Sequence, residues 1–132
     1  MENNMNDNPK EAIGLTKPSL NAVPMAAVYV MGEAMNYGRL KYGLVNWREH
    51  AVRSDVYMDA ARRHLEVCND GENVAQDSKV HHLGHVMACC AILIDAEQNG
   101  KLIDNRSEFG GCLSEYFKKK TKGRRYWRMT ST

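Results

Sequence analysis

Apolar residues recur at helical spacing over most of this chain, and nowhere alternate with polar ones in the period of two that a half-buried strand needs. From Pro24, Ala26, Ala27, Val30, Met31, Ala34, Met35 and Tyr37 follow one another at intervals that predict a helix ending near Tyr42 and Gly43. Pro24 suits its first position. This pattern is apolar almost all round, with the single carboxylate Glu33 inside it, which predicts a central helix. After a loop over 44–53, Ser54 can cap a second helix from Asp55 to about Cys68, stopped by Asn69, Asp70 and Gly71. A short polar loop, 72–77, leads to Ser78, which can cap the longest helix, Lys79 to Asn99, closed by Gly100. A weaker helix is expected over 107–119. The segment 8–24 contains Pro9, Gly14, Pro18 and Pro24 and is expected to be irregular. The elements predict an all-α fold, a small helical bundle, with the second and third long helices antiparallel.

At 132 residues the chain is the size of one domain. Its 43% hydrophobic and 26% charged content is ordinary for a globular protein. The polar, Asn-rich start lacks the pattern of a signal peptide. The longest apolar run, Val86 to Ile94, is too short to span a bilayer. Cys68, Cys89, Cys90 and Cys112 form no CxxC pair and read as buried, reduced thiols. A cytoplasmic location is therefore expected, without membrane association.

The net charge of +2 hides an asymmetry. Residues 118–132 hold seven basic side chains and no acidic one, whereas the preceding residues hold eleven basic and sixteen acidic. The chain thus divides into a helical domain, 1–117, and a basic C-terminal tail, 118–132. Tyr126 and Trp127 interleave with the basic residues, a composition that suits nucleic acid. A nucleic-acid-associated helical protein is accordingly one reading of the chain. A frayed, solvated terminus is the other reading of the tail. Eight methionines and an apolar first helix suit a subunit interface, so a homo-oligomer is expected.

Histidines carry the strongest chemical signal. His82 and His85 share one helix face, and His64 shares a face with Tyr57, Ala60 and Ala61 on the preceding helix. Positions 64 and 82 are equidistant from residue 73 in the connecting loop, so a hairpin brings all three histidines together. Imidazoles beside carboxylates are what divalent metal sites use. Glu33, Asp59, Glu66 and Glu72 are the carboxylates within reach, and Glu33 is costly to bury unless paired or metal-bound. Satisfied core histidines and a salt-bridged Glu33 are the alternative. Arg62 and Arg63 can clamp a polyphosphate or form helix-surface ion pairs with Asp59 and Glu66. In the first loop Trp47 offers a stacking face, Asn46 can read a base edge, and Lys41 and Arg48 can meet phosphates. No glycine-rich phosphate loop is present.

Several stretches, in order, resemble the phage dATP/dGTP diphosphohydrolases. They are Asn8-Pro9-Lys10-Glu11-Ala12-Ile13-Gly14, Lys41-Tyr42-Gly43 with Asn46-Trp47-Arg48, and Tyr57-x-Asp59-Ala60 with Arg63-His64-Leu65. Gly71-Glu72 and the helix from His82-Leu83-x-His85 to Ile92-Leu93-x-Asp95 complete the set. The resemblance covers about residues 8–104. It implies hydrolysis of purine deoxynucleoside triphosphates to monophosphate and pyrophosphate, and so a role in shaping the dNTP pool of a phage-infected cell, in the host cytoplasm. More loosely, the chain is similar to the MazG-like all-α NTP pyrophosphatases, which hold Mg²⁺ on an ExxE and an ExxD pair. Here His82 and His85 stand in a place like the ExxD pair, and Glu33-x-x-Asn36 is half of an ExxE pair. Mg²⁺ prefers oxygen ligands. Two imidazoles therefore imply Mn²⁺ or Co²⁺, or carboxylate-held Mg²⁺ with histidines that bind phosphate or move protons. The resulting expectation is a catalytic set of Glu33, His64 and Glu72. Metal ligands are expected from Glu33, Asp59, His64, His82 and His85, and substrate contacts from Lys41, Asn46, Trp47, Arg48 and Arg63.

Overall fold

The computed structural model describes residues 8–122. Among these residues six α-helices are formed, α1 (Pro9–Gly14), α2 (Met25–Tyr42), α3 (Asn46–Glu49), α4 (Ser54–Asn69), α5 (His82–Gln98) and α6 (Leu113–Lys122), with a short 3-10 helix over Leu20–Ala22. The all-α expectation holds, with local corrections. The N-terminal segment is not wholly irregular, because Asn8 caps α1 through its side chain and Pro9 occupies the first turn. Two strands of two residues each, β1 (Val52–Arg53) and β2 (Leu102–Ile103), pair in parallel; they are too short to leave an alternating pattern. The loop after α2 contains α3. The third long helix begins three residues later than expected. Ser78 does not cap it; the cap is His81, whose Nδ1 accepts from the Leu83 N–H at 3.0 Å.

Two of the shifts have one physical cause each. Ser54 lies inside α4 and is buried, and its hydroxyl bonds Asn105 Oδ1 at 2.6 Å. The same Oδ1 accepts from the Asp55 N–H, so a residue fifty positions away satisfies the start of α4. The other is the loop between α4 and α5, where Ala75 and Val80 are buried and Val74 bridges His81. Lys79 takes a positive φ of 62° within that turn, which excludes it from a helix.

The antiparallel arrangement of α4 and α5 follows from both ends of the pair. His64 near the end of α4 meets His82 at the start of α5, while Val52 before α4 accepts a pairing with Leu102 after α5. Helix α2 packs on α5 through small residues. Ala34, Val80 and Ala88 form a buried cluster, with Val30, Met31 and Met35 against it. At the crossing, a Cβ added to Gly84 would lie 2.6 Å from Val30 Cγ1 and 2.7 Å from the Val30 carbonyl oxygen. A side chain can rotate away, but a helical carbonyl cannot. Gly84→Ala is therefore expected to cost about 1–3 kcal/mol through overpacking, read as a lower midpoint in urea with an unchanged slope.

Helix α2 is not enclosed on all sides. Met25, Tyr29 and Leu40 are exposed, and so is Glu33. The cost of a buried carboxylate therefore does not arise. Cys90 and Cys112 are exposed rather than buried, and all four thiols are free. Among the described residues no helix is long and apolar enough to cross a membrane. Helix α6 runs across the junction at 117–118; residues 123–132, with Tyr126 and Trp127, lie outside the described residues.

Candidate active site

A cavity of about 280 Å³ opens between α2, α4, α5 and the loop that carries α3. Its size is at the lower end of ligand pockets, roughly 300–1,000 Å³. Each helix contributes one face. From α2 come Ala34, Tyr37, Gly38 and Lys41, at spacings of three and four. Tyr57, Ala60 and His64 come from α4, and His85, Ala88, Cys89 and Ile92 from α5. These α4 and α5 faces are the ones the histidine spacing pointed to.

The three histidines converge. His64 Nδ1 lies 2.8 Å from His82 Nδ1, and the rings of His64 and His85 stack at 4.4 Å between centroids. His82 is buried, while His64 and His85 form part of the cavity wall. Glu72 joins them, with its Oε1 3.3 Å from His82 Nε2. On the other side, Ser78 Oγ accepts from the Val80 N–H at 3.2 Å and bonds His85 Nε2 at 2.7 Å. Burial pushes the His64 pKa below the ordinary histidine value, and the neighbouring His85 and His82 push it further. His85 is also lowered, again mainly by burial, while Asp77 opposes the shift. Both rings are therefore kept neutral at physiological pH.

Lys41 completes a polar wall. Its Nζ sits 4.5 Å from the centroid of the Tyr37 ring, and Tyr37, Tyr42 and Asp77 favour its charged form. Arg39 lines the cavity as well, and Asp77 is held ionised chiefly by the Ser78 N–H. Asn46, Trp47, Tyr42 and Tyr57 add amide and aromatic faces to the same wall. The Cys89 thiol is pushed up by burial and stays protonated, so it acts here as a small apolar group.

Several expected residues lie elsewhere. Glu33 is one helical step from Ala34, which turns it about 100° away from the cavity. It lines an open groove of about 500 Å³ with Met25, Tyr29 and Asn36 instead. Asp59 and Arg63 each precede a cavity residue by one position, and both are exposed outside it. Arg48 is engaged by Asp95, through two bonds of 2.7 Å, and its guanidinium also sits 5.1 Å from the Trp47 ring. It braces α3 against α5 and leaves Trp47 on the cavity wall. Among the described residues, no three His, Cys, Asp or Glu side chains converge on a point that a metal ion can occupy. A closed all-protein metal cage is thus not formed by this chain in the described residues. The sequence reading missed Arg39, Asp77 and Ser78. Arg39 and Asp77 carry no distinctive spacing, and Ser78 looked like a helix cap.

No curated protein and no solved structure matches the chain. The model of one family does, under the description dATP/dGTP diphosphohydrolase, N-terminal, and it spans the whole cavity and both long helices that carry histidine. By that match over residues 7–106, the chain belongs to the dATP/dGTP diphosphohydrolase family.

Proposed function

We propose that this cavity hydrolyses purine deoxynucleoside triphosphates to the monophosphate and pyrophosphate, in a reaction that depends on a divalent metal ion. The observation that carries the reading is the convergence of two neutral imidazoles, two cationic side chains and several aromatic faces on one cavity wall. Lys41 and Arg39 neutralise phosphate charge. Trp47 and Tyr42 offer stacking faces to a purine, and Asn46 presents a donor and an acceptor to its edge. A water attacks the α-phosphorus and gives its proton to His64 Nε2. The bond from that phosphorus to the bridging oxygen breaks, and pyrophosphate leaves.

The metal fits this site only as a shared ion. Mg²⁺ is commonly held by one or two carboxylates together with substrate phosphates. Asp77 and His85 are the wall residues suited to complete such a set with the triphosphate. When bound, the ion would neutralise phosphate charge and acidify water. His85 favours Mn²⁺ or Co²⁺ over Mg²⁺.

The remaining parts of the proposal concern context. We place the activity in the shaping of a dNTP pool in phage-infected cytoplasm. A homo-oligomer is supported by the exposed Met25, Tyr29 and Leu40 on α2. The test is a panel of dATP, dGTP, dCTP and dTTP with Mg²⁺, Mn²⁺, Co²⁺ or chelator. The expected result is conversion of the purine nucleotides alone, lost with chelator. No turnover of any nucleotide by folded protein, together with salt-sensitive DNA binding, would overturn it in favour of the basic C-terminal tail.

A further inference from the structure

We propose that Glu72 is a positioning residue, which fixes the tautomers of His82 and His64 so that His64, a residue of the cavity wall, keeps a bare ring nitrogen at Nε2. The kinetic consequence rests on the proposed hydrolase function; the tautomers do not.

At a pH that leaves His64 and His82 uncharged, the chain of bonds has one consistent solution. An ionised carboxylate only accepts hydrogen bonds. The Glu72 Oε1 to His82 Nε2 contact of 3.3 Å therefore places the His82 proton on Nε2. A neutral imidazole carries one proton, so His82 Nδ1 is a bare acceptor. Across the 2.8 Å contact, His64 Nδ1 must be the donor. That leaves His64 Nε2 unprotonated, and it has no hydrogen-bond partner among the described residues. The reverse arrangement would aim the His82 Nε2 lone pair at a carboxylate in a site where His82 is only 5% exposed.

The backbone holds this chain in place. Gly71 ends α4 with a φ of 114°, a conformation that a side chain would strain. The Glu72 N–H then reaches the Val67 carbonyl at 3.2 Å, and the His82 N–H reaches the Asn73 carbonyl at 2.8 Å. Residues 72 and 73 are thereby fixed against the start of α5. Glu72 itself does not line the cavity. This separation keeps the Glu72 charge out of the cavity. Two imidazoles carry its orienting effect to the cavity and leave its charge behind, as the outer partners of functional histidines do elsewhere.

The experiment is ¹⁵N–¹H correlation of the imidazole nitrogens in full-length protein with chelator, at a pH above 7, alongside steady-state kinetics with the preferred nucleotide. In the wild type, His82 is expected as the Nε2–H tautomer and His64 as Nδ1–H. Glu72→Ala is expected to mix the two tautomers and to lower kcat by ~10–100-fold, with KM changed by no more than about twofold. Glu72→Gln keeps an accepting carbonyl, so it should retain the tautomers and most of the activity. An Nδ1–H tautomer at His82 in the wild type would overturn the proposal, whether or not the variants fold. So would a Glu72→Gln protein as inactive as Glu72→Ala with unchanged tautomers, since Glu72 would then act through its charge. Expected tautomers without any nucleotide hydrolysis would remove the hydrolase reading and leave this one standing.

Discussion

His64→Ala is expected to lower kcat for the preferred nucleotide by roughly 10²–10⁴-fold, the range for removing a general base. His64 lines the cavity with its Nδ1 held by His82 and no hydrogen-bond partner at Nε2 among the described residues, whereas His85 is engaged at Nε2 by Ser78. The fold should survive, because the side chain is half-buried and His82 keeps its bond to Glu72. A circular dichroism spectrum and thermal midpoint close to wild type would confirm that. Burial lowers the pKa of His64, so the base stays neutral to a more acidic pH than a free histidine. The acid limb of the kcat/KM profile, which reports the free enzyme, is therefore expected below the ordinary value of about 6.5. Stability should follow the same sign. A histidine held neutral by the fold binds fewer protons than in the unfolded chain, so stability declines as pH falls from about 6.5 toward the depressed folded value. A His64→Ala enzyme with unimpaired kcat would remove His64 from the chemistry.

Lys41→Glu is expected to raise KM on the order of tenfold or more, with a smaller effect on kcat, because it reverses a charge at the wall that meets the triphosphate. The effect should shrink as salt rises, since Lys41 is exposed and its field is screened. Arg39 remains at the same cavity and should keep binding measurable. Arg48→Ala provides the contrast. Its guanidinium is already committed to Asp95, so its loss should act through the placement of Trp47 and not through phosphate charge. Its effect on KM should consequently depend little on salt. An equal salt dependence for the two variants would place Arg48 among the phosphate contacts.

The histidine constellation was legible because it follows from helix geometry alone. A spacing of three on α5 and a hairpin centred on residue 73 suffice to bring His64, His82 and His85 together. The boundaries of α2 were equally legible from its periodicity and from Gly43, whose φ of 100° ends it. What α2 exposes was not. A helix apolar on every side gives no moment from which to choose a face, so Glu33 appeared buried beside the histidines although the cavity begins one residue later. Arg48 illustrates a different limit. Its pairing with Asp95 joins residues 47 positions apart, and no local pattern announces that. Ser54 and Ser78 both looked like helix caps for the same reason that serine caps are common. Their actual partners, Asn105 and His85, come from tertiary structure. Asp77 and Arg39 carried no signal beyond being charged residues near a loop and a helix end.

The most direct measurement of the cavity's chemistry is phosphorus NMR of the products formed from dGTP or dATP in ¹⁸O-labelled water. Attack at the α-phosphorus places the label on the deoxynucleoside monophosphate and releases unlabelled pyrophosphate. Label in pyrophosphate would instead mean attack at the β-phosphorus and contradict the role given to His64 at the α-phosphorus. Release of inorganic phosphate or intact triphosphate would mean that a different bond is cut and contradict a diphosphohydrolase altogether.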